Sequence, residues 1–155
     1  MIFVTIGTQA PFDRFIKIID EIAPQLQEEV VAQVNQLGFE VAHIKTIDFL
    51  APDKFNELFC KARLIVSHAG MGTILSALQL HKPIIIFPRI AALGEHRNEH
   101  QLATAEKFKE MGTVYVAMNE IELKRLLLNK HLKPLAEIGD YASQSLIDSI
   151  EKFIG

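Results

Sequence analysis

The sequence is poor in cysteine and tryptophan, and it contains no long hydrophobic run. Its 155 residues include one cysteine, Cys60, and no tryptophan. A single cysteine excludes an internal disulfide, and its helical neighbours Phe59 and Ala62 lead us to expect Cys60 in the core. No apolar stretch reaches the ~20 residues that a membrane-spanning helix needs. Because the N-terminus enters a strand at once, without a basic or apolar leader, we expect a cytoplasmic protein.

Several motifs with known chemistry are also missing. There is no Gly-x-x-x-x-Gly-Lys-Ser/Thr run, no Gly-x-Ser-x-Gly elbow and no Asp-x-Asp pair. These absences disfavour a P-loop nucleotidase, a serine hydrolase of that type and a diphosphate site bridged by a metal ion. The net charge of −3 gives no nucleic-acid footprint. His96 and His100 lack a third zinc ligand nearby, so we expect no metal site.

Apolar runs and helical patterns alternate along the chain. Strands are predicted at 2–6, 30–34, within 41–49, from residue 64, at 84–87 and at 114–116. Helices are predicted at 12–26, from Pro52, at 73–80 and at 98–111, the last one ending at Gly112. This alternation is typical of an α/β protein with a doubly wound, Rossmann-like parallel sheet. We expect residues 1–155 to form one domain.

The segment 141–154 carries an apolar stripe at helical spacing. The stripe consists of Leu146, Ile147, Ile150, Phe153 and Ile154. Such a helix either packs on its own domain or docks a partner protein.

A glycine turn follows the predicted strand at residue 64. Gly70 and Gly72 leave the main chain bare, and Thr73 is expected to cap the next helix. A helix N-terminus at the carboxyl end of a parallel strand attracts anions, above all phosphate. Leu75 occupies the place of the third glycine of a dinucleotide fingerprint, which disfavours a nicotinamide cofactor. Alternatively, the glycines only allow a tight turn to close.

Two further polar loops are expected at the same edge of the sheet, at 7–9 and at 89–101. His68 suits contact with a ligand or a structural hydrogen bond. Arg89 suits an anionic group or a solvated loop position. Four more polar residues suit a hydroxyl-rich ligand or an ordinary helix start: Glu95, Asn98, His100 and Gln101.

An ordered series of motifs runs along the chain at residues 3–9 (FVTIGTQ), 11–14 (PFDR), 65–75 (IVSHAGMGTIL), 82–83 (KP), 88–89 (PR), 94–96 (GEH) and 100–101 (HQ). This series resembles the C-terminal domain of family 28 glycosyltransferases. It is most similar to the single-domain form. That form is the cytosolic subunit of the two-part UDP-N-acetylglucosamine transferase of lipid-linked oligosaccharide assembly, with bacterial relatives of the PssE type in exopolysaccharide and capsule synthesis.

The resemblance implies the nucleotide-sugar-binding half of a GT-B fold. Such a subunit binds a UDP-sugar as substrate, without a cofactor or divalent metal, for transfer with inversion. A membrane-associated partner subunit supplies the site for a polyprenyl-diphosphate-linked acceptor. The chain would then lie at the inner face of the membrane through that partner. The base that deprotonates the acceptor is expected on the partner, so no catalytic residue is named.

The resemblance also assigns two groups of site residues. The nucleotide and its diphosphate would contact Gly7, Thr8, Gln9, His68, Gly70, Met71, Gly72, Thr73 and Ser76. The donor sugar would contact Arg89, Glu95, Asn98, His100 and Gln101.

Ser76 departs from the family pattern, which usually has an acidic residue here to bind the ribose hydroxyls. A neutral contact is weaker than a charge-assisted one by about 1 kcal/mol. Donor affinity is then low until the partner binds, or a nearby carboxylate substitutes for the missing one. Two other functions stay open: a non-catalytic enhancer or scaffold subunit, and a flavin- or nucleotide-dependent enzyme on the same kind of sheet.

Overall fold

The computed structural model describes residues 1–8, 10–135 and 148. The strands within them are β1 (Ile2–Thr5), β2 (Val30–Gln33), β3 (Lys45–Ile47), β4 (Leu64–His68), β5 (Ile84–Phe87) and β6 (Tyr115–Val116). The helices are α1 (Asp13–Leu26), α2 (Pro52–Lys61), α3 (Met71–Gln79), α4 (His100–Met111) and α5 (Glu120–Leu128), with a 3₁₀ turn at Ala91–Leu93. The α/β class predicted from the sequence is confirmed.

The six strands form one parallel sheet in the order β3-β2-β1-β4-β5-β6. β1 lies at its centre, with Thr5 in register with Gln33 of β2 and Ser67 of β4. The strand order reverses between β1 and β4. Because the loops that follow these two strands run to opposite sides, a crevice opens at their carboxyl ends.

Helices cover both faces of the sheet. β1 shows the alternation, since Val4 packs with α1 and α5 whereas Phe3 packs with α2, α3 and α4. Phe15 and Phe108 are fully buried representatives of the two helical layers. Strands that are apolar on both faces are typical of such a buried parallel sheet, and the doubly wound arrangement is therefore confirmed.

β3 occupies only three residues of the segment 41–49 in which a strand was predicted. The main-chain N–H groups of Ala42 and His43 donate to the carboxylate of Asp20 on α1, at 2.8–3.2 Å. These N–H groups are therefore unavailable to the sheet. Only Lys45–Ile47 pairs with β2, as a three-residue edge strand.

Two helices begin at residues other than those predicted. α3 starts at Met71 with Gly70 as its N-cap, and the Gly70 carbonyl accepts from the N–H of Ile74 at 3.2 Å. The prediction that Thr73 caps this helix was therefore wrong. α4 starts at His100 instead of Asn98, because the Asn98 side chain accepts from the N–H of His100 at 2.9 Å.

α5 had no counterpart in the sequence prediction. Asn119 precedes it, and its side-chain oxygen accepts from the N–H of Glu122 at 2.9 Å. Glu122 in turn accepts from the N–H of Met118 at 2.6 Å. Asn-x-x-Glu has the spacing of a capping box, which is a readable signal for a helix start.

Cys60 is exposed, so the prediction that it lies in the core was wrong. α2 directs Phe55 and Phe59 against Phe3, with ring centroids 5.3 and 6.5 Å apart. These two aromatic rings occupy the inward face of the helix, and Cys60 follows Phe59 on the outward side.

Two predictions fall on residues that the structure does not describe. Gln9 is one, and the predicted helix at 141–154, except for Asp148, is the other. Within the described residues, no helix is both long enough and apolar enough to cross a bilayer.

We predict that Asp20→Ala destabilises the fold by about 2 kcal/mol, because the N–H groups of Ala42 and His43 lose a buried acceptor. Asp20 is 7% exposed. The matched control is Glu21→Ala on the same helix, where a surface contact of 4.0 Å with Lys124 is lost. Urea unfolding measures both variants. Equal stability of the two would contradict the proposed role of Asp20.

Candidate functional site

A cavity of about 650 Å³ opens at the carboxyl ends of β1 and β4. Ten of the predicted site residues line it: Gly7, Thr8, His68, Gly70, Gly72, Thr73, Ser76, Arg89, Glu95 and Gln101. The fold therefore gathers residues from three separate loops into one pocket. Met71, Asn98 and His100 do not line this pocket.

The start of α3 presents main-chain amides to the pocket. No side chain of the described residues caps this helix, and its first turn has no acidic residue. The N–H groups of the first turn of a helix have no intrahelical acceptor and carry the positive end of its dipole. Gly72 adds no Cβ there, and a Cβ built on it meets nothing within 4 Å. This end of the pocket suits an anion.

His68, the last residue of β4, places its ring between two glycine turns. A Cβ on Gly7 would lie 2.9 Å from Nε2 of His68, and one on Gly70 would lie 2.5 Å from it. Gly7 also has a backbone φ of +79°, which residues other than glycine rarely adopt. Both positions thus need glycine so that the imidazole can fit at the floor of the pocket.

The other ring nitrogen of His68 is hydrogen-bonded inside the protein. Gln101 Nε2 lies 2.9 Å from Nδ1 of His68, and Gln101 Oε1 accepts from the main-chain N–H of Arg89 at 3.1 Å. Burial lowers the pKa of His68 to about 4, and the nearby Arg89 and His96 act in the same direction, whereas the hydrogen bond with Gln101 acts against them. The ring is therefore neutral at physiological pH.

Arg89 is buried, and its guanidinium is engaged by main-chain carbonyls. It donates to Ile6 and Ala10 at 2.7 and 2.8 Å, and to Pro11 and Glu95 at 2.8 and 3.3 Å. Burial lowers its pKa, an effect that the Glu95 carboxylate opposes. The guanidinium thus connects the loop after β1 to the loop after β5, and its N–H groups are directed to these carbonyls.

Glu95 is likewise engaged inside the protein. Arg14 of α1 donates to both carboxylate oxygens at 2.8 Å, and the N–H of Ile90 donates to one of them at 3.0 Å. Arg14 also stacks over the ring of Phe87 at 4.5 Å. This bidentate pair fixes the loop after β5 against the first turn of α1.

The remaining predicted residues have other surroundings. Met71, the first residue of α3, packs against the buried apolar residues between the sheet and the helices α2, α3 and α4. Asn98 and His100 are exposed, Asn98 accepting from the N–H of His100. The His100 carbonyl accepts from the hydroxyl of Thr104 at 2.9 Å.

A polar network supports the floor of the pocket. Thr5 donates to the Gln33 side-chain oxygen at 2.8 Å, and Gln33 donates to Asn35 at 2.6 Å. Asn35 donates to the Gly7 carbonyl at 3.0 Å, and so holds the turn after β1. No three His, Cys, Asp or Glu side chains within the described residues are arranged to hold a metal ion.

Sequence reasoning missed the apolar flank of the pocket and one of its cations. Phe49, Leu50 and Phe55 line one side, and Phe49 is 74% exposed. Arg97 lines the rim as an exposed cation. The same rule that located the other loops would have found Phe49, since it follows β3 at the carboxyl edge of the sheet.

We predict that His68 makes stability depend on pH between about 4 and 6.5. The unfolded chain binds a proton in this range that the folded chain does not bind, because the folded-state pKa is lowered. The stability due to the neutral ring is therefore fully present above pH 6.5 and is lost as the pH falls toward 4, by up to about 3 kcal/mol.

The measurement is urea unfolding of the wild type and His68→Gln across this range, with the exposed His43→Gln as the control. We expect His68→Gln alone to flatten the profile. An equally steep loss of stability in His68→Gln would show that the His68 ring is not responsible.

Known proteins resemble this chain in sequence and in fold. The UDP-N-acetylglucosamine transferase subunit ALG13 of Eremothecium gossypii is 34% identical over 147 residues, which cover 94% of this chain and 70% of the relative. An NMR structure of ALG13 superimposes with a TM-score of 0.63 at 21% identity, covering 94% of each chain. MurG of Acinetobacter baumannii superimposes with a TM-score of 0.53 at 19% identity.

The match to MurG covers 97% of this chain and 51% of MurG, which confirms that the chain has the Rossmann-like fold of one half of the GT-B architecture. The chain also spans only 24% to 59% of the length of most curated relatives that it matches. Residues 1–151 match the family described as the glycosyltransferase family 28 C-terminal domain. This match covers nearly the whole sequence, and the chain therefore belongs to the glycosyltransferase family 28 C-terminal domain family.

Proposed function

We propose that this chain is the donor-binding subunit of a UDP-sugar-dependent glycosyltransferase. The observation that carries the proposal is the pocket at the β1–β4 switch point, where the bare first turn of α3 faces a space of about 650 Å³. Ligand pockets for small molecules commonly measure 300–1,000 Å³. The relative from Eremothecium gossypii is named as a UDP-N-acetylglucosamine transferase subunit, which supports a UDP-sugar as the ligand.

The two ends of the pocket fit the two ends of a nucleotide. In this proposal the N–H groups of residues 71–73 and the Nε2 atom of His68 donate hydrogen bonds to the diphosphate. Phe49 and Leu50 offer an apolar flank on which the uracil ring packs. Arg97 at the rim adds a positive charge to the lining of the pocket, and we expect the donor to bind without a divalent ion.

In this proposal Ser76 contacts the ribose, but only as an acceptor. Its hydroxyl donates to the Gly72 carbonyl at 3.0 Å, so its single proton is already used. A ribose hydroxyl donates to the remaining lone pairs of Ser76 Oγ. The expected consequence is a modest affinity for the donor, which the partner subunit raises.

The reaction is a displacement at the anomeric carbon of the donor sugar. The acceptor hydroxyl oxygen forms a bond to that carbon from the face opposite the diphosphate, which inverts the centre. The bond from the anomeric carbon to the diphosphate oxygen breaks, and UDP leaves with the electron pair. A base on the partner subunit takes the acceptor proton. The chain described here holds the donor in line and stabilises the departing diphosphate through the α3 amides.

The acceptor site belongs to a second, membrane-associated subunit in this proposal. The chain has one half of a GT-B fold, and the relatives named as subunits point to the same arrangement. The acceptor is a polyprenyl-diphosphate-linked glycan of exopolysaccharide, capsule or lipid-linked oligosaccharide synthesis. The chain lies on the cytoplasmic side of the membrane, bound through this partner.

A second candidate is a non-catalytic enhancer subunit that keeps the fold and the partner surface. Ser76 favours it, since a neutral serine stands where the family usually has a ribose-binding carboxylate. The two candidates differ in whether the chain binds a donor at all.

We predict that the chain binds UDP and UDP-sugars without added metal, and that Gly72→Ala weakens this binding about tenfold. A Cβ at Gly72 meets no protein atom, so the fold is kept, but it occupies space where the diphosphate approaches the α3 amides. Calorimetric titration with UDP, several UDP-sugars and ADP-glucose as the control measures the affinities.

The matched control is Gln79→Ala, an exposed position on the same helix that does not line the pocket. It should bind UDP like the wild type. Absence of UDP binding by the wild type, with and without the partner subunit, would favour the enhancer function.

We predict that the isolated chain transfers no sugar and that co-expression with its membrane-associated partner restores transfer. The physical reason is that the acceptor site and base lie on the partner. A radiolabelled UDP-sugar assay on membranes measures the product. Efficient transfer by the isolated chain would refute the two-subunit arrangement without refuting donor binding.

A further inference from the structure

The orientation of the Gln101 amide is fixed by a main-chain donor. Gln101 Oε1 lies 3.1 Å from the N–H of Arg89, and an N–H group can only donate. The oxygen of the amide must therefore face Arg89. The nitrogen then faces Nδ1 of His68 at 2.9 Å, where it donates. Gln101 is 7% exposed, so its amide is largely shielded from solvent where it makes these two contacts.

This arrangement determines which nitrogen of His68 carries the proton. A neutral imidazole has one N–H and one acceptor nitrogen, and Nδ1 accepts from Gln101. The proton must lie on Nε2. Within residues 1–8 and 10–135 no hydrogen-bond acceptor for Nε2 occurs, and the ring lines the pocket between Gly7 and Gly70.

We propose that Gln101 is a positioning residue: oriented by the Arg89 main chain, its amide holds His68 in the Nε2–H tautomer and so presents a neutral donor to the diphosphate of the substrate. The identity of that ligand rests on the proposed function. The tautomer itself does not, because it follows from contacts inside the chain.

Burial and the groups around His68 together keep the ring neutral. Arg89 approaches from the end of β5 and His96 from the loop before α4, and both disfavour an added proton. Glu95 is paired with Arg14, and the glycine turns contribute no titratable group. Burial acts in the same direction and is the largest cause of the lowered pKa, while the hydrogen bond with Gln101 acts in the opposite direction. A donor nitrogen is therefore available at neutral pH without a positive charge on the ring.

The inference gives Gln101 a different role from the donor-sugar contact implied by the family resemblance. A variant that replaces only the donor end of the Gln101 amide distinguishes a positioning role for Gln101 from a merely structural one. Gln101→Glu keeps an oxygen for the N–H of Arg89 and turns the group that faces Nδ1 into an acceptor. The neutral ring then moves its proton to Nδ1, and Nε2 becomes an acceptor that repels the diphosphate.

The experiment has two readouts on the full chain. Long-range ¹H–¹⁵N NMR of the imidazole at pH 8 reports the tautomer without any ligand. We expect Nε2–H in the wild type and Nδ1–H in Gln101→Glu. Calorimetric titration with UDP-N-acetylglucosamine, whose diphosphate does not titrate between pH 6 and 8, reports the affinity. We expect a loss of about tenfold for Gln101→Glu at pH 8.

The pH profile separates positioning from a structural effect. The carboxylate of Gln101→Glu raises the pKa of His68. We expect that lowering the pH from 8 to 6 raises the protonated fraction of the ring in this variant, returns a proton to Nε2 and recovers affinity, whereas the His68 ring of the wild type stays neutral over this range. Gln25→Glu, an exposed position on α1, is the matched control and should alter neither readout.

Three outcomes would overturn the proposal: a wild-type ring protonated on Nδ1, a Gln101→Glu ring that keeps Nε2–H at pH 8, or an affinity loss independent of pH. If Gln101→Glu does not fold, Gln101→Met removes both hydrogen bonds at similar volume, and a ring still held wholly as Nε2–H would contradict the role. Failure of the wild type to bind the nucleotide both with and without the partner subunit, while Nε2–H is observed, would refute the proposed function and leave the tautomer assignment intact.

Discussion

The arrangement of the pocket depends on one buried cation, Arg89. Its guanidinium donates to main-chain carbonyls of Ile6, Ala10, Pro11 and Glu95, and it stacks over the ring of Phe12 at 4.7 Å. A buried charge is costly unless polar groups surround it, and the four carbonyl dipoles supply that environment. These hydrogen bonds hold the loop after β1 against the loop after β5, although the two loops are far apart in the sequence.

The main-chain N–H of Arg89 also fixes side chains at the floor of the pocket. Its N–H orients Gln101, and Gln101 contacts His68, so one residue fixes both a loop arrangement and a ring orientation. Glu95 and Arg14 strengthen the same side of the pocket. The side chains of Arg89, Arg14 and Glu95 therefore shape the site, while the neutral His68 ring and the bare amides of the α3 start face the cavity. Such a surface suits an anion held by hydrogen bonds and a helix dipole.

Much of the fold could be predicted from the sequence because local patterns determine it. Apolar runs such as Ile84–Phe87 are typical of strands buried on both faces, and Gly112 marked the end of α4 correctly, with a φ of +69°. β3 could not be bounded in this way, since Asp20, 22 residues before Ala42, removes the N–H groups that a longer strand would need. α5 did have a local signal, the capping box at Asn119 and Glu122.

The location of the site could be predicted from the sequence, but the contacts inside the site could not. Parallel strands bring their carboxyl ends to one edge, so the three loops could be placed together from the sequence. The contacts of Arg89 could not, because it bonds to Ile6, 83 residues earlier. Its spacing and residue type fit a ligand-binding arginine equally well. Only the three-dimensional arrangement distinguishes a side chain that faces the pocket from one that holds its walls.

The central claim is that the bare turn before and within α3 binds the diphosphate of a uridine nucleotide. The most direct measurement is the shift of main-chain amide signals in ¹H–¹⁵N NMR spectra during titration with UDP. The account predicts that the amides of Gly7, Gly70, Gly72 and Thr73 shift most, while Gly112 at the far end of α4 does not shift. Large shifts elsewhere, with these four amides unchanged, would contradict it.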